Sequence, residues 1–321
     1  MQNVLVTGGA GFIGSHLVPH LLALGHQVTV LDDLSNGREE NIPSEAEFIK
    51  MDICNEKITG VMQKKKFDSI IHLAGQTAVS ESLKDPIMDE KLNIEGMINI
   101  LRSACQTGVA RIIFSSTAAA YGNNENLPLR ESALATPLSF YGLSKVTAEK
   151  YIRLYHDYFG IDYIIFRFAN VYGERQGDGG EGGVISIFAK QIANDQDIAV
   201  FGDGGQTRDF IYAGDISSGL GQALVTDNTN DTYNLSTYTQ TSLKQLITLF
   251  GNIAHKNFSI KYTKARSGDI YHSMLDNTKA IEKLDWHMHT SLSEGLNKTF
   301  AYFKKVKAEA HQCGDISGDI K

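Results

Sequence analysis

Cysteine and proline are scarce: the 321 residues include three of the first and five of the second. Cys54, Cys105 and Cys313 lie far apart, with no CxxC pair. That excludes a disulfide framework or a cysteine zinc site and fits a reducing compartment. Positive charge is short as well, with 30 Lys and Arg against 37 Asp and Glu and a net charge of −7. Nucleic acid is therefore excluded as the main partner, because phosphate backbones require a basic surface. The run "KKK" at 64–66 reads as a solvated helix end or loop. No apolar run approaches the roughly 18 residues of a membrane span, so no membrane partner is expected. "NVLVTGG" at 3–9 already reads as a buried strand and its turn, leaving no room for a cleavable leader; a cytoplasmic location is the expectation. His16 and His20 stand four apart on a helix, but no HExxH glutamate and no third ligand accompany them, and "HMH" at 287–289 reads as surface. No metal is expected.

Short apolar runs and glycines are plentiful instead. "NVLVT", "QVTVLD", "AEFIKM", "DSIIHLA", "ARIIFSS" and "DYIIFRF" are separated by stretches of helical periodicity such as 12–24, 90–107 and 142–159. Continuous apolar strands alternating with helices predict a parallel sheet covered on both faces. The fold class is α/β: a doubly wound parallel sheet of the Rossmann type over residues 1–172. At 173 the rhythm breaks into the glycine-rich "GERQGDGGEGG", which predicts a smaller, mixed α/β domain over 173–307 that sends segments back to the first. The polar "AEAHQCGDISGDIK" at 308–321 reads as a frayed tail.

"VLVTGGAGFIGSHL" sets Gly8, Gly11 and Gly14 at a strand-to-helix turn, with Phe12 and Ile13 between them. Gly8 permits the tight turn, Gly11 lets the backbone approach a diphosphate, and Gly14 lets helix and sheet pack closely. A diphosphate would then sit on unpaired N–H groups at the helix N-terminus. Asp32, eighteen residues after Gly14 at the end of the next strand, suits the adenosine ribose hydroxyls, and its charge would repel a 2′-phosphate. The cofactor is therefore expected to be NAD rather than NADP, with Arg38 the nearest contrary cation; Asp33 and Asn36 join the cofactor-binding set. Later strand ends supply Asp52 and Ile53 for adenine, the close-passing Leu73, Ala74 and Gly75, and Ser115.

At the chemical end, Thr117 in "SSTAAAYG" closes a strand, while "SFYGLSKVTAE" at 139–149 places Tyr141 and Lys145 one helical turn apart on one face. In a parallel sheet all three reach the edge that would hold a nicotinamide. These residues, with "TGGAGFIG", "HLAGQTAVSES", "FRFANVYG", "GEGGVISIF" and "VFGDGGQTRDFIY", resemble the extended short-chain dehydrogenase/reductase family over nearly the whole chain, most closely its UDP-hexose 4-epimerases.

The resemblance implies that Tyr141 is the general base at the sugar 4-hydroxyl, that Lys145 and oxidised nicotinamide lower its pKa, and that Thr117 binds the reacting oxygen. It also implies a cofactor contact for Asn93, whose alternative role is a polar helix N-terminal residue. Asn170, Val184, Phe201, Arg208, Arg266, Asp269 and Ser273 would hold the UDP-sugar, with the two arginines on phosphate. Arg208 and Arg266 could instead form surface ion pairs. Where related dehydratases carry an Asp–Glu pair, this chain has Ala118 and Ala119, which argues against dehydration. The diphosphate-binding asparagine of many epimerases is missing near 182–184. Ser273, at the position of a gate residue, is small, which implies that UDP-GlcNAc and UDP-GalNAc are accepted beside UDP-glucose and UDP-galactose. Relatives are commonly homodimers through helices corresponding to 90–107 and 143–159. The alternatives are a nucleotide-sugar 4-ketoreductase, a UDP-glucuronate 4-epimerase, or a non-catalytic NAD-sensing protein.

Overall fold

Alternate residues of the apolar runs turn to opposite faces of one sheet, and both faces are dry. Val4, Val6, Ile71, Ile113, Ile164 and Phe166 belong to one buried cluster. Leu5, Ile70, Ile112, Phe114 and Ile165 belong to a second on the other side. This is why those strands read as unbroken apolar stretches rather than alternating ones.

A computed structural model describes residues 1–177, 183–265 and 270–316, with the backbone alone for 310–316. In chain order the elements are β1 (Asn3–Thr7), α1 (Phe12–Ala23), β2 (Gln27–Asp32), β3 (Glu47–Lys50), α2 (Ile58–Lys65) and β4 (Ser69–His72). Then come α3 (Val79–Lys84), α4 (Pro86–Glu90), α5 (Gly96–Thr107), β5 (Arg111–Thr117), α6 (Phe140–Phe159), β6 (Asp162–Phe168) and β7 (Asn170–Tyr172). The remainder holds α7 (Val184–Ala193), β8 (Ile198–Phe201), β9 (Thr207–Arg208), β10 (Phe210–Tyr212), α8 (Ala213–Gln222) and β11 (Asp231–Leu235). It closes with β12 (Thr241–Ser242), α9 (Leu243–Ala254), β13 (Ile260–Thr263), α10 (Thr278–Leu284) and α11 (Leu292–Ile316).

Seven strands form the main sheet in the order β11-β6-β5-β4-β1-β2-β3, and every pairing in it is parallel. Chain order reverses between β1 and β4, so the connections leave on opposite sides there and open a crevice at the carboxyl edge. Helices α1, α8 and α10 cover one face through residues such as Leu17, Leu220 and Leu284. Helices α2, α5 and α6 cover the other through Met62, Ile100 and Ile152. Each such fully buried aliphatic side chain contributes about 1.5–3 kcal/mol. A third cluster joins α7, α9 and α11 through Phe188, Phe250, Phe300 and Phe303.

Three local features differ from the sequence expectation. The helix expected from residue 90 starts at Pro86, where the Asp85 carboxylate accepts the Met88 N–H at 2.9 Å, an N-cap that a Pro at the first turn complements. Between α4 and α5 the coil widens into a π-helical turn over Lys91–Glu95, so Asn93 lies inside a helix and not at its N-terminus. At the other end of the chain α11 runs to Ile316, where a frayed tail was expected from 308. Ala, Glu and Gln in that stretch have high helix propensity, which outweighs its polarity.

Candidate functional site

The crevice starts at Gly8. Its φ of +71° is one that side chains rarely adopt, and a Cβ there would lie 2.6 Å from the Ala74 nitrogen, so glycine alone lets β1 and the end of β4 meet. A Cβ on Gly14 would lie 2.5 Å from the Gly8 carbonyl oxygen, whereas one on Gly11 would meet only that oxygen, at 3.3 Å. Gly14 is thus consumed by packing, while Gly11 leaves the mouth of α1 open. Phe12 and Ile13 form the first turn of α1, and Gly11 precedes it in extended conformation with no side-chain cap. The first N–H groups of the helix are therefore available to an anion.

Asp32 ends β2 nearly buried. Its carboxylate accepts the Ala10 N–H at 3.0 Å and the Leu34 N–H at 2.9 Å. Burial pushes its pKa up, against the pull of those two bonds. Two oxygens with one N–H each retain lone pairs for a diol. Arg38 turns to Glu40 at 3.2 Å. Beside Asp32, Asp33 accepts the Ser35 N–H at 2.9 Å, and Asn36 is exposed. Asp52 accepts the Cys54 N–H at 2.8 Å. The Ile53 side chain is buried against Gly96, where a Cβ would lie 2.6 Å from its Cδ1, so only the Ile53 backbone is left for an adenine.

The reactive groups gather at the ends of β4 and β5. Thr117 closes β5, and its hydroxyl oxygen accepts the Ala119 N–H at 3.1 Å as the chain enters a 3-10 turn. Ser139 caps α6 by accepting the Gly142 N–H at 3.1 Å. A Cβ on Gly142 would lie 2.8 Å from the Ala119 carbonyl oxygen. The glycine after Tyr141 therefore lets the helix start settle against the turn that follows Thr117. Thr117 is thereby brought near enough to Tyr141 to act on its phenol. One turn on, Lys145 is 3% exposed, with Nζ 4.9 Å from the Phe114 ring centre. Ser115 donates to the His72 carbonyl at 3.0 Å. His72 in turn meets the Thr7 hydroxyl at 2.7 Å.

Burial dominates the titration of this group. It raises the Tyr141 phenol, an effect that the Thr117 hydroxyl opposes and the Asp89 charge reinforces. It lowers Lys145 to about 8, with Asp89 acting in the other direction. It lowers His72 to about 3, helped by the Lys145 charge. Lys145 and oxidised nicotinamide together were expected to bring the tyrosine down; in the chain alone burial is the largest effect and holds the phenol up.

Several polar groups here await partners. Among the described residues the buried Oδ1 of Asn93 and Oε1 of Gln76 have no hydrogen-bond partner. Gly75 has φ +147°, and a Cβ on it would strike Asn93 Oδ1 and come within 3.7 Å of Lys145 Nζ. With Leu73 and Ala74 half-buried at the same edge, these form a cradle lined by an ammonium and an amide. The cradle fits the hydroxyls and carboxamide of a nicotinamide riboside, and the glycine turn and Asp32 fit its diphosphate and adenosine.

The proposed sugar-nucleotide residues fall into a neighbouring group. Asn170 donates its N–H to the Asp209 carbonyl at 2.8 Å. Arg208 reaches the Thr207 carbonyl at 2.8 Å and the Tyr271 carbonyl at 3.4 Å. The Asp209 carboxylate accepts the Leu275 N–H at 3.2 Å, which pins the segment carrying half-buried Ser273. Phe201 ends β8, with its carbonyl held by Gln206 at 2.5 Å. Val184 opens α7 and packs partly on the third apolar cluster. Arg266 and Asp269 lie outside the described residues.

Sequence reading overlooked Asp89, buried to 1% exposure beside Lys145; its only trace is a spacing of four from Asn93. It also overlooked Asp209, one residue past Arg208 and fully buried.

Known proteins match this arrangement along nearly its full length. The model of the NAD dependent epimerase/dehydratase family matches residues 4–236. A putative UDP-glucose 4-epimerase of Methanocaldococcus jannaschii is 40% identical over 302 residues, 94% of this chain and 98% of the relative. The crystal structure of UDP-glucose 4-epimerase with UDP-glucose from Thermotoga maritima is 38% identical, with a TM-score of 0.92 over 95% of this chain and 99% of that one. A UDP-N-acetylglucosamine 4-epimerase from Methanobrevibacter ruminantium, in complex with UDP-N-acetylmuramic acid, is 31% identical, with a TM-score of 0.91 over 95% and 99%. On these grounds the chain belongs to the NAD dependent epimerase/dehydratase family.

Proposed function

We propose that the chain is an NAD-dependent UDP-hexose 4-epimerase that interconverts UDP-glucose with UDP-galactose, and UDP-GlcNAc with UDP-GalNAc. The observation that carries this reading is the packing of the start of α6, with Tyr141 and Lys145 one turn apart, against the turn that follows Thr117, at the sheet edge where Ala118 and Ala119 offer no acid for elimination. When bound, NAD supplies a reversible hydride acceptor at C4 of the sugar and a positive charge next to the phenol. Tyr141 takes the proton from the 4-hydroxyl and returns it to the opposite epimer. Thr117 holds the reacting oxygen in line with the phenol. Lys145 binds the nicotinamide ribose and steadies the phenolate.

The UDP part needs a firm grip and the hexose a loose one, since the 4-keto sugar must present both faces. Arg208, Asn170 and Phe201, with Arg266 and Asp269, serve the grip. Ser273 serves the looseness, because a small side chain leaves room for an acetamido group. Residues 173–307 thus mainly supply the substrate side and residues 1–172 the cofactor side. Two chains pair through α5 and α6, and the unpaired thiols of Cys54 and Cys105 suit the cytoplasm.

The test is to incubate purified protein, without added cofactor, with UDP-glucose, UDP-GlcNAc and UDP-glucuronate in turn. Appearance of the 4-epimers of the first two is expected. Turnover of UDP-glucuronate alone would replace the hexose reading, and a strict need for external NADPH would replace epimerisation by 4-ketoreduction.

A further inference from the structure

Asp89 lies in α4, 1% exposed, facing α6. The Asn93 amide donates to its Oδ1 at 3.1 Å, while the neighbouring Ser144 hydroxyl donates to the Tyr141 carbonyl at 3.0 Å. An asparagine could accept the Asn93 bond without the cost of desolvating a charge, so that hydrogen bond alone gives no reason for a carboxylate. A second charge gives that reason. Ser144 precedes Lys145, whose ammonium is buried over Phe114. Two groups besides Asp89 bear on that ammonium. Tyr141 lies on the same helix, and His72 on β4 is held neutral by burial and Lys145, with its pKa down at about 3. Neither supplies negative charge at neutral pH. Burial pushes the Asp89 carboxyl up and the Lys145 charge opposes it, as Asp89 opposes the lowering of Lys145 by burial, so the two act on each other without a direct ion pair among the described residues.

We propose that Asp89 is a positioning residue for the reaction: its buried carboxylate keeps Lys145 protonated and, through Asn93, aims the second amide atom of that side chain at the Gly75 cradle. Asn93 donates to Gln76 O as well as to Asp89, both at 3.1 Å, which leaves its Oδ1 turned to Gly75 with no partner. The proposal rests on the Tyr141–Lys145 reading above. Charge has a signature that shape lacks. Asp89 raises the pKa of both Lys145 and Tyr141, so neutralising it moves both limbs of a pH profile the same way, to lower pH.

The test compares native enzyme, with its resident cofactor, against Asp89→Asn and Asp89→Ser. In both variants the two limbs of the kcat/KM profile should move down by about 1 pH unit. Independently of turnover, the Lys145 Nζ resonance of 15N-lysine-labelled protein, identified by its loss in Lys145→Arg, should titrate at lower pH in the variants. A uniform loss of rate with unmoved limbs and an unmoved Lys145 titration would overturn the proposal. So would failure of both neutral variants to fold, which would make the carboxylate a requirement of the fold. Absence of epimerisation by the native protein would instead count against the proposed function, and the Lys145 titration would still decide the role of Asp89.

Discussion

A phenol that must accept a proton near neutrality is here surrounded by groups that hinder it: burial and Asp89 hold Tyr141 up, and only the Thr117 hydroxyl pulls it down. A free tyrosine has a pKa of about 10, so each unit of lowering takes about 1.4 kcal/mol of preference for the phenolate. Within the chain that preference is missing, and it must arrive with the cofactor's charge. Tyr141 should therefore be idle as a base in cofactor-free protein. Replacing it with phenylalanine should reduce kcat by about 10²–10⁴-fold, while bound NAD, measured by its release on denaturation, stays at the native level. Equal loss of NAD and of rate would make Tyr141 a binding residue. Tyr141, Lys145 and Thr117 were legible because helix spacing and strand ends fix which edge they share. Asp89 was hidden because "DPIMDEKLN" reads as a solvated helix face, and only the packing of α4 on α6 buries one of its acids. Ile53 shows the reverse case. Its position after a strand end pointed to adenine, but the side chain turned inward beneath Gly96.

Beneath the reactive groups three elements are tied by one carboxylate. Glu149 of α6, 1% exposed, accepts the Ser116 hydroxyl of β5 at 2.6 Å and the Arg167 guanidinium of β6 at 2.7 and 2.9 Å. It thus fixes the end of the strand that carries Thr117 against the helix that carries Tyr141 and Lys145. Burial alone would raise the Glu149 carboxyl, but the Arg167 hydrogen bonds and charge outweigh it and leave the pKa lowered. A lowered folded pKa means that this stabilisation is complete above the ordinary carboxylate range and fades as pH falls through the depressed value. Glu149→Gln should cost about 3 kcal/mol at pH 7 in a urea titration, since Arg167 would be left buried without a counter-charge. The gap between variant and native protein should narrow under acid; a gap independent of pH would rule out an ionic tie. The strands of this core were readable as unbroken apolar runs. Strand β11, "DTYNL", was not, because it mixes Asp, Thr and Asn into its pattern and lies at the sheet's edge, and its Asn234 side chain is buried by donating to Leu129 O and Asp276 O and accepting the Tyr121 hydroxyl. The π-helical turn around Asn93 has no local sequence sign either.

Across the whole molecule, negative net charge and few cysteines bounded the partners without identifying them, and the surface adds what composition could not. Among the described residues no helix is long and apolar enough to cross a membrane, yet α6 carries Leu143, Tyr151, Leu154 and Tyr158 outward, the last of them 78% exposed. Their spacing of three, four and eight follows one helical stripe. Val79, Leu83 and Ile87 of α3 and α4 are exposed too. A monomer that left such a stripe in water would forgo about 25 cal/mol for each Å² it could bury, and a two-fold pairing of α6 with its copy would cover the stripe with itself. The native protein should accordingly sediment at twice the chain mass. Leu154→Arg with Tyr158→Arg places like charges across the two-fold axis and should shift it to a monomer at micromolar concentration, with Tyr141 and Lys145 untouched on the inner face of the same helix. If the double variant stays dimeric, the pairing runs through another face, and the stripe needs a different occupant.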